Sequence, residues 1–301
     1  MWFKNLQLYR LTESVNLTAE QLHEKLLGKP SKPCQGLDTH TLGWDRPLGR
    51  EGQLLTHESN GCIMICMRRE ERVLPAAVIR EKLDAKVAEI ENAESRKVGR
   101  KQKMQLRDEI MVDLLPKAFT RSMHLFAYID TVKNWFIVDS SSAKKAEELA
   151  SLLRDTLGSF KIKPFEVKQA PSMILTGWLQ GKPPADFDLQ DECELRDTGE
   201  DGGIVRLRRQ DLAGDEMAVH LGAGKQAVKL AVAWDERLSC VLADDTSVKR
   251  LRFLDIIQQE AADSEAETYA EMFDVDFSLM TLQLRQFIER LVAVYGGITE
   301  G

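Results

Sequence analysis

Apolar residues follow two spacings along the chain, one helical and one extended. Ile79, Leu83, Val87 and Ile90 form one stripe in "VIREKLDAKVAEIENAESRK", which predicts a long helix interrupted near Gly99. The helical pattern resumes in "LRDEIMVDLLP" and stops at Pro116. A shorter helix is predicted in "NLTAEQLHEKLLGKP". There Thr18 is the N-cap candidate with Gln21 three residues on, and Gly28 and Pro30 end the helix. A strong amphipathic helix, "FSLMTLQLRQFIERLVAVYGG", stops at Gly296 and Gly297.

Extended segments lie between these helices. "GCIMICM" reads as a buried strand, and "MHLFAYIDTVKNWFIVDSSSAKKAEELASLLRDTLGSF" as strand, turn, strand and helix. One of Ser140, Ser141 or Ser142 caps that helix and Gly158 closes it. "FKIKPFEV" and "IVRLRRQD" are further strands, and "AVKLAVAWDERLSCVLADDTSVKRLRFLD" is a hairpin followed by a third extended piece. Paired strands around a short polar turn are expected three times: Cys62 to Ile79, Met123 to Val138 and Ala227 to Leu242. The first two pairs precede a helix, so the fold class is α+β, built of strand-pair and helix modules.

At 301 residues with 43% hydrophobic composition, the chain has material for packed cores in two or three domains or one elaborate fold. No apolar run approaches the roughly 20 residues that span a bilayer, and "MWFKNLQLYR" lacks the features of a secretory signal. Five cysteines form no disulfide framework, which suits reduced thiols in a cytosolic protein.

The formal net charge is -7, but its distribution is uneven. Nine basic and four acidic residues lie between Arg96 and Lys133. Asp186 to Asp201 holds eight acids and one base, and reaches into "GEDGG", a flexible acidic loop. Asp255 to Asp276 holds eight acids and no base. Surfaces of opposite sign are expected, with polyanions directed toward the basic ones.

Most catalytic signatures are missing. "GAGKQ" lacks the first glycine of a phosphate loop, has Gln226 where the magnesium ligand belongs, and reads as a turn entering the Ala227 strand. Cys62 and Cys66 read as core residues, and the five histidines form no ligand pair. Asp244 and Asp245 are adjacent acids that a metal-dependent nuclease would need, but the sequence offers no Asp/Glu-x-Lys partner, and a solvated turn is the favoured reading.

The basic features remain. Arg96, Lys97, Arg100, Lys101, Lys103 and Arg107 crowd into "RKVGRKQKMQLR" without an acid, so the segment is either a phosphate-binding surface or a solvated helix face. Arg206 and Arg208 share one face of a predicted strand with Arg209 on the other, and Lys225, Lys229, Lys249, Arg250 and Arg252 add charge to neighbouring strands. No zinc finger, basic zipper or aromatic RNA-binding signature is present, so DNA contact would favour the backbone over base edges. An acidic protein-interaction scaffold is a third function class.

"MWFKNLQLYRL", "LGWDRPLG", "LPAAVIREKL", "GRKQKMQLRDEI", "LLPKAFTRS", "WFIVDSSS" and "LTGWL" together resemble the recombination-associated RdgC family of proteobacteria across essentially the full chain. The resemblance implies an elongated, horseshoe-like monomer assembling as a ring-shaped homodimer around duplex DNA. It implies binding without marked sequence preference, single-stranded DNA as a further ligand, and restraint of the RecA recombinase by occupancy of DNA. It implies a nucleoid-associated cytoplasmic protein with no catalytic activity, no cofactor and no membrane partner.

Residues 1–75 would then form an N-terminal α+β region, 76–170 a helical and tip-forming region, and 171–301 a C-terminal region with the terminal amphipathic helix. "LLPKAFTRS" resembles part of the tip, with Phe119 between subunits, or else in the core, and Lys117 and Arg121 near the hole. The DNA-binding candidates are these two with the six cations of the basic segment, Arg206, Arg208, Arg209, Lys225 and Lys229.

Overall fold

The computed structural model describes residues 1–199 and 202–299. A seven-stranded sheet contains β1 (Gln7–Leu11), β2 (His40–Asp45), β3 (Thr56–Ser59), β4 (Cys62–Val73), β5 (Phe119–Asp130), β6 (Trp135–Val138) and β7 (Ile162–Pro164). Its strand order is β2-β4-β5-β6-β1-β7, with β3 also pairing to β4. A second sheet has the order β12-β11-β10-β8-β9, formed by β8 (Phe187–Arg196), β9 (Ile204–Arg208), β10 (Gln226–Trp234), β11 (Leu238–Ala243) and β12 (Val248–Phe253). A bridge between Leu6 and Val248 joins the sheets, with Leu6 N–H donating to the Val248 carbonyl at 2.7 Å.

Successive side chains on a strand point to opposite faces. Cys62 and Met64 of β4 therefore enter one core while Ile63, Ile65 and Met67 enter another. Burial on both faces explains the unbroken apolar run "CIMICM". The second core is closed by α1 (Ala19–Leu26) and α4 (Ala143–Leu157). Thr18 and Gln21 form the expected capping box of α1, Gly158 ends α4 in the left-handed conformation, and Ser142 is its N-cap residue without a side-chain cap bond.

The first core lies between the two sheets and is filled by α8 (Tyr269–Val294), whose Phe273, Phe277, Met280, Leu284, Phe287 and Leu291 are buried in it. The helix begins eight residues before the predicted apolar pattern because Thr268 and Glu271 form a second capping box. It ends where Gly296 and Gly297 take φ of +77° and +100°, left-handed values that glycine adopts without a Cβ clash.

The Cys62 to Ile79 segment corrects one expectation. It is one twelve-residue strand followed directly by α2 (Ala76–Glu94), not two strands around a polar turn. "RREERV" continues the strand by pairing with β2 and β5 beyond the apolar core, and its charged side chains are half-buried or buried and pair with one another, Arg68 with Glu70 and Arg69 with Glu71. The turn lies upstream, at Asn60-Gly61 between β3 and β4, with both residues at positive φ. Met123 to Val138 and Ala227 to Leu242 do form hairpins.

The acidic stretch from Asp186 to Asp201 contains a strand not predicted from the sequence. Most of it is β8, an interior strand of the second sheet between β9 and β10. Glu200 and Asp201 of "GEDGG" lie outside the described residues. Three helices absent from the sequence reading complete the chain: α5 (Pro171–Leu179), α6 (Asp215–Gly222) and α7 (Asp255–Ala262).

β4 and β5 pair along their whole length, from Cys62 opposite Asp130 to Val73 opposite Phe119. The end distant from the core forms a stalk, flanked by β2 as far as Glu71, that carries α2 and α3 (Arg100–Leu114). These helices pack through a small cluster of Val87, Val98 and Leu106 with Leu83 and Ile90.

Candidate nucleic-acid interface

Ser95, at φ +50°, ends α2, and a short connection turns the chain into α3. Glu91 Oε1 accepts from Val98 N–H at 2.9 Å and fixes that connection. All six cations of the basic segment are exposed. Arg96 pairs with Glu94 at 2.6 Å and donates to Gln102 Oε1 at 3.1 Å. Lys97, Arg100, Lys101, Lys103 and Arg107 have no carboxylate partner among the described residues.

Arg100, Lys101 and Lys103 occupy the opening of α3, which has no acid in its first turn and no side-chain cap. The helix dipole favours anions at that end, so these cations oppose local stability. A sequence that breaks a local folding rule does so most often where function requires it.

Below the helices, a short turn, Leu115–Lys117, leads into β5. Lys117 is exposed and unpaired among the described residues. Phe119 is 88% exposed opposite Val73, which excludes the core-burial alternative for it within this chain. Arg121 pairs with Glu71, whose second partner is Arg69 at 3.4 Å. The Arg121 bond, assisted by Arg69, holds the Glu71 carboxyl below its usual range.

The second basic group lies on the sheet of β8, β9 and β10. Register sets Arg206 opposite Glu194 and Arg208 opposite Glu192, so both arginines share a face as expected. Arg206 Nε is 2.9 Å and Lys229 Nζ 3.0 Å from Glu194 Oε2. Arg208 Nε is 3.4 Å from Glu192, whose two oxygens also take Arg250 at 2.7 and 2.8 Å. Lys225 pairs with Asp197 at 3.3 Å. Arg209 follows the strand at φ +55° and has no carboxylate partner among the described residues.

A family model described as "Putative exonuclease, RdgC" matches residues 1–298. The curated recombination-associated protein RdgC of Yersinia enterocolitica is 43% identical over 298 residues, covering 99% of this chain and 98% of its own. Proteins of the same name from Yersinia pestis and Yersinia pseudotuberculosis match at the same identity and coverage. The chain belongs to the RdgC family.

Asp244 and Asp245 of this RdgC family member are the adjacent acids that a metal-dependent exonuclease would need. They lie in the turn between β11 and β12. Asp245 Oδ1 accepts from the Ser247 N–H at 3.0 Å and from its hydroxyl, and Lys249 lies 3.8 Å from Oδ2. Asp245 is thus committed to holding the turn. Among the described residues, no group of three or more His, Cys, Asp or Glu side chains is arranged to hold a metal ion. No described helix is long and apolar enough to cross a membrane.

The sequence reading missed the acidic partners of the strand cations. Their signal was the alternation of Phe187, Leu189, Cys193 and Leu195 with polar residues in "FDLQDECELR", which marks β8 as a strand facing a core.

Proposed function

We propose that this RdgC family member binds DNA through its phosphate backbone, without sequence preference, as a homodimer whose horseshoe-shaped subunits close into a ring around the duplex. The carrying observation is the cluster of unpaired cations at the opening of α3, held away from the core by the β4–β5 stalk. Each cation next to a phosphate releases condensed counterions, a gain independent of base sequence. The acidic remainder of the surface leaves these groups as the favoured contact for a polyanion. Occupancy of DNA limits access of the RecA recombinase with no enzymatic step. Such a role belongs in the cytoplasm on the nucleoid, with single-stranded DNA a further ligand.

A two-fold ring closes through two isologous contacts. Phe119 suits one of them, because a large exposed aromatic beside Val73 gains most by burial against its symmetry mate. Lys117 and Arg121 flank this contact. Phe119→Ala is expected to weaken closure by about 2 kcal/mol, which shortens retention on covalently closed circular DNA roughly thirtyfold. Retention after competitor addition reads this directly, and an unchanged lifetime removes Phe119 from the gate.

Wild-type protein on closed circles and on the same DNA after linearisation tests the ring. Longer retention on circles supports encirclement, and equal lifetimes contradict it. The exonuclease in the family description has its own test: DNA with magnesium or manganese. Turnover that copurifies with the protein would replace the binding reading.

A further inference from the structure

Glu192 and Glu194 sit among more cations than they neutralise. Arg206, Arg208, Lys229 and Arg250 reach them as described, and Arg196 lies 3.7 Å from Glu194. The exposures are layered: the Glu194 side chain is 8% exposed and Glu192 24%, whereas Arg206 is 62%, Arg208 70% and Arg250 54%. The carboxylates form a floor and the cations a rim. They line a pocket of about 330 Å³, large enough to admit a phosphate group.

The bonding leaves donors free. Arg206 and Arg208 engage the floor through Nε, and the terminal nitrogens of Arg206 make no hydrogen bond to the described residues. Burial by itself would raise the Glu194 pKa, but the Lys229 and Arg206 bonds outweigh it and hold the carboxyl below its usual range. Arg250 does the same for Glu192. Both acids are therefore charged at neutral pH.

We infer that this pocket is a second site for DNA phosphate, in which Glu192 and Glu194 act as internal phosphate mimics that position Arg206 and Arg208 and attenuate their charge. The inference rests on the DNA-binding reading above. A phosphate approaching from solvent meets the guanidinium ends first. It bridges to them while Nε stays on the carboxylate, and the floor's negative charge reduces the gain. Attenuation of this kind suits a protein that holds DNA without fixing its register, because each phosphate contact remains weak enough to exchange.

The test is Glu194→Gln in the full chain, which keeps an acceptor for Arg206 Nε and removes the charge. Affinity for a duplex oligonucleotide is measured by fluorescence anisotropy across salt. The expected result is tighter binding near 0.1 M salt by about eightfold for each subunit in contact, and a salt slope steeper by about 0.9 for each, as follows when one more phosphate per subunit is neutralised. Adding Arg206→Gln returns both toward wild type. Glu192→Gln, at the more exposed acid, gives the same shift if Glu194→Gln fails to fold. Wild-type binding with unchanged affinity and slope in the folded variants overturns the inference alone. Absence of wild-type binding at low salt overturns the DNA reading and this inference with it.

Discussion

Replacing Arg100, Lys101 and Lys103 together with glutamine is expected to lower DNA affinity by at least two to three orders of magnitude near 0.1 M salt, equally on every duplex sequence. Each neutralised phosphate contributes about 0.9 to the slope of log affinity against log salt, or about eightfold at that concentration. Removing three such cations multiplies to roughly five-hundredfold for one subunit's contact alone. The same substitutions are expected to stabilise the fold slightly, because cations in the first turn of α3 oppose the helix dipole by about 0.3–1 kcal/mol each. Weaker binding with a raised melting temperature is the signature of cations retained for a ligand. Anisotropy on several unrelated duplexes, with thermal unfolding of the same samples, reads both. Unchanged affinity would make the segment a solvated helix face, and loss confined to particular sequences would contradict backbone contact.

Arg285→Ala is expected to destabilise the protein by about 3–5 kcal/mol, because it leaves a buried carboxylate without its counter-charge. The Asp130 side chain is 4% exposed and accepts from Arg285 Nε at 2.8 Å and Nη2 at 3.0 Å. Asp130 also accepts from the backbone N–H groups of Val132 and Lys133, each at 2.9 Å, which orders the β5–β6 turn. Arg285 donates to the Asn60 carbonyl at 3.1 Å. One guanidinium thus ties α8 to both turns at that end of the first sheet. Urea unfolding of the variant measures the loss. A change below about 1 kcal/mol would place the pair with exposed ion pairs, whose contribution is small.

Much of the fold was legible because its signals are local. The α1 capping box needs only Thr18 and Gln21, and the double-sided burial of β4 appears as an unbroken apolar run. The Met123 to Val138 and Ala227 to Leu242 hairpins carry their turns between apolar strands. β8 was hidden by its acids, although its apolar residues alternate, since Glu192 and Glu194 are tolerated in a strand only because β9, β10 and β12 bring cations to them. β3 was hidden by its shortness, with Asn60-Gly61 as the overlooked turn signal.

The candidate surface divides along the same line. Cation positions are read from sequence, but their availability depends on register and packing. Lys97, Arg100, Lys101, Lys103, Arg107, Lys117 and Arg209 are free of carboxylates among the described residues, whereas Arg96, Arg121, Arg206, Arg208, Lys225 and Lys229 are paired. Phe119 shows the same limit, since the sequence leaves a subunit contact and core burial both open, and only the course of β5 away from the core exposes the ring.

The proposed contact is between DNA phosphate and a locally basic surface on an acidic protein. Its most direct test is the affinity of the wild-type chain for duplex DNA between about 0.05 and 0.2 M salt, plotted as log affinity against log salt. A straight line falling with a slope of several units, about 0.9 per neutralised phosphate and the same for unrelated sequences, is the expected result. A flat line would contradict the account.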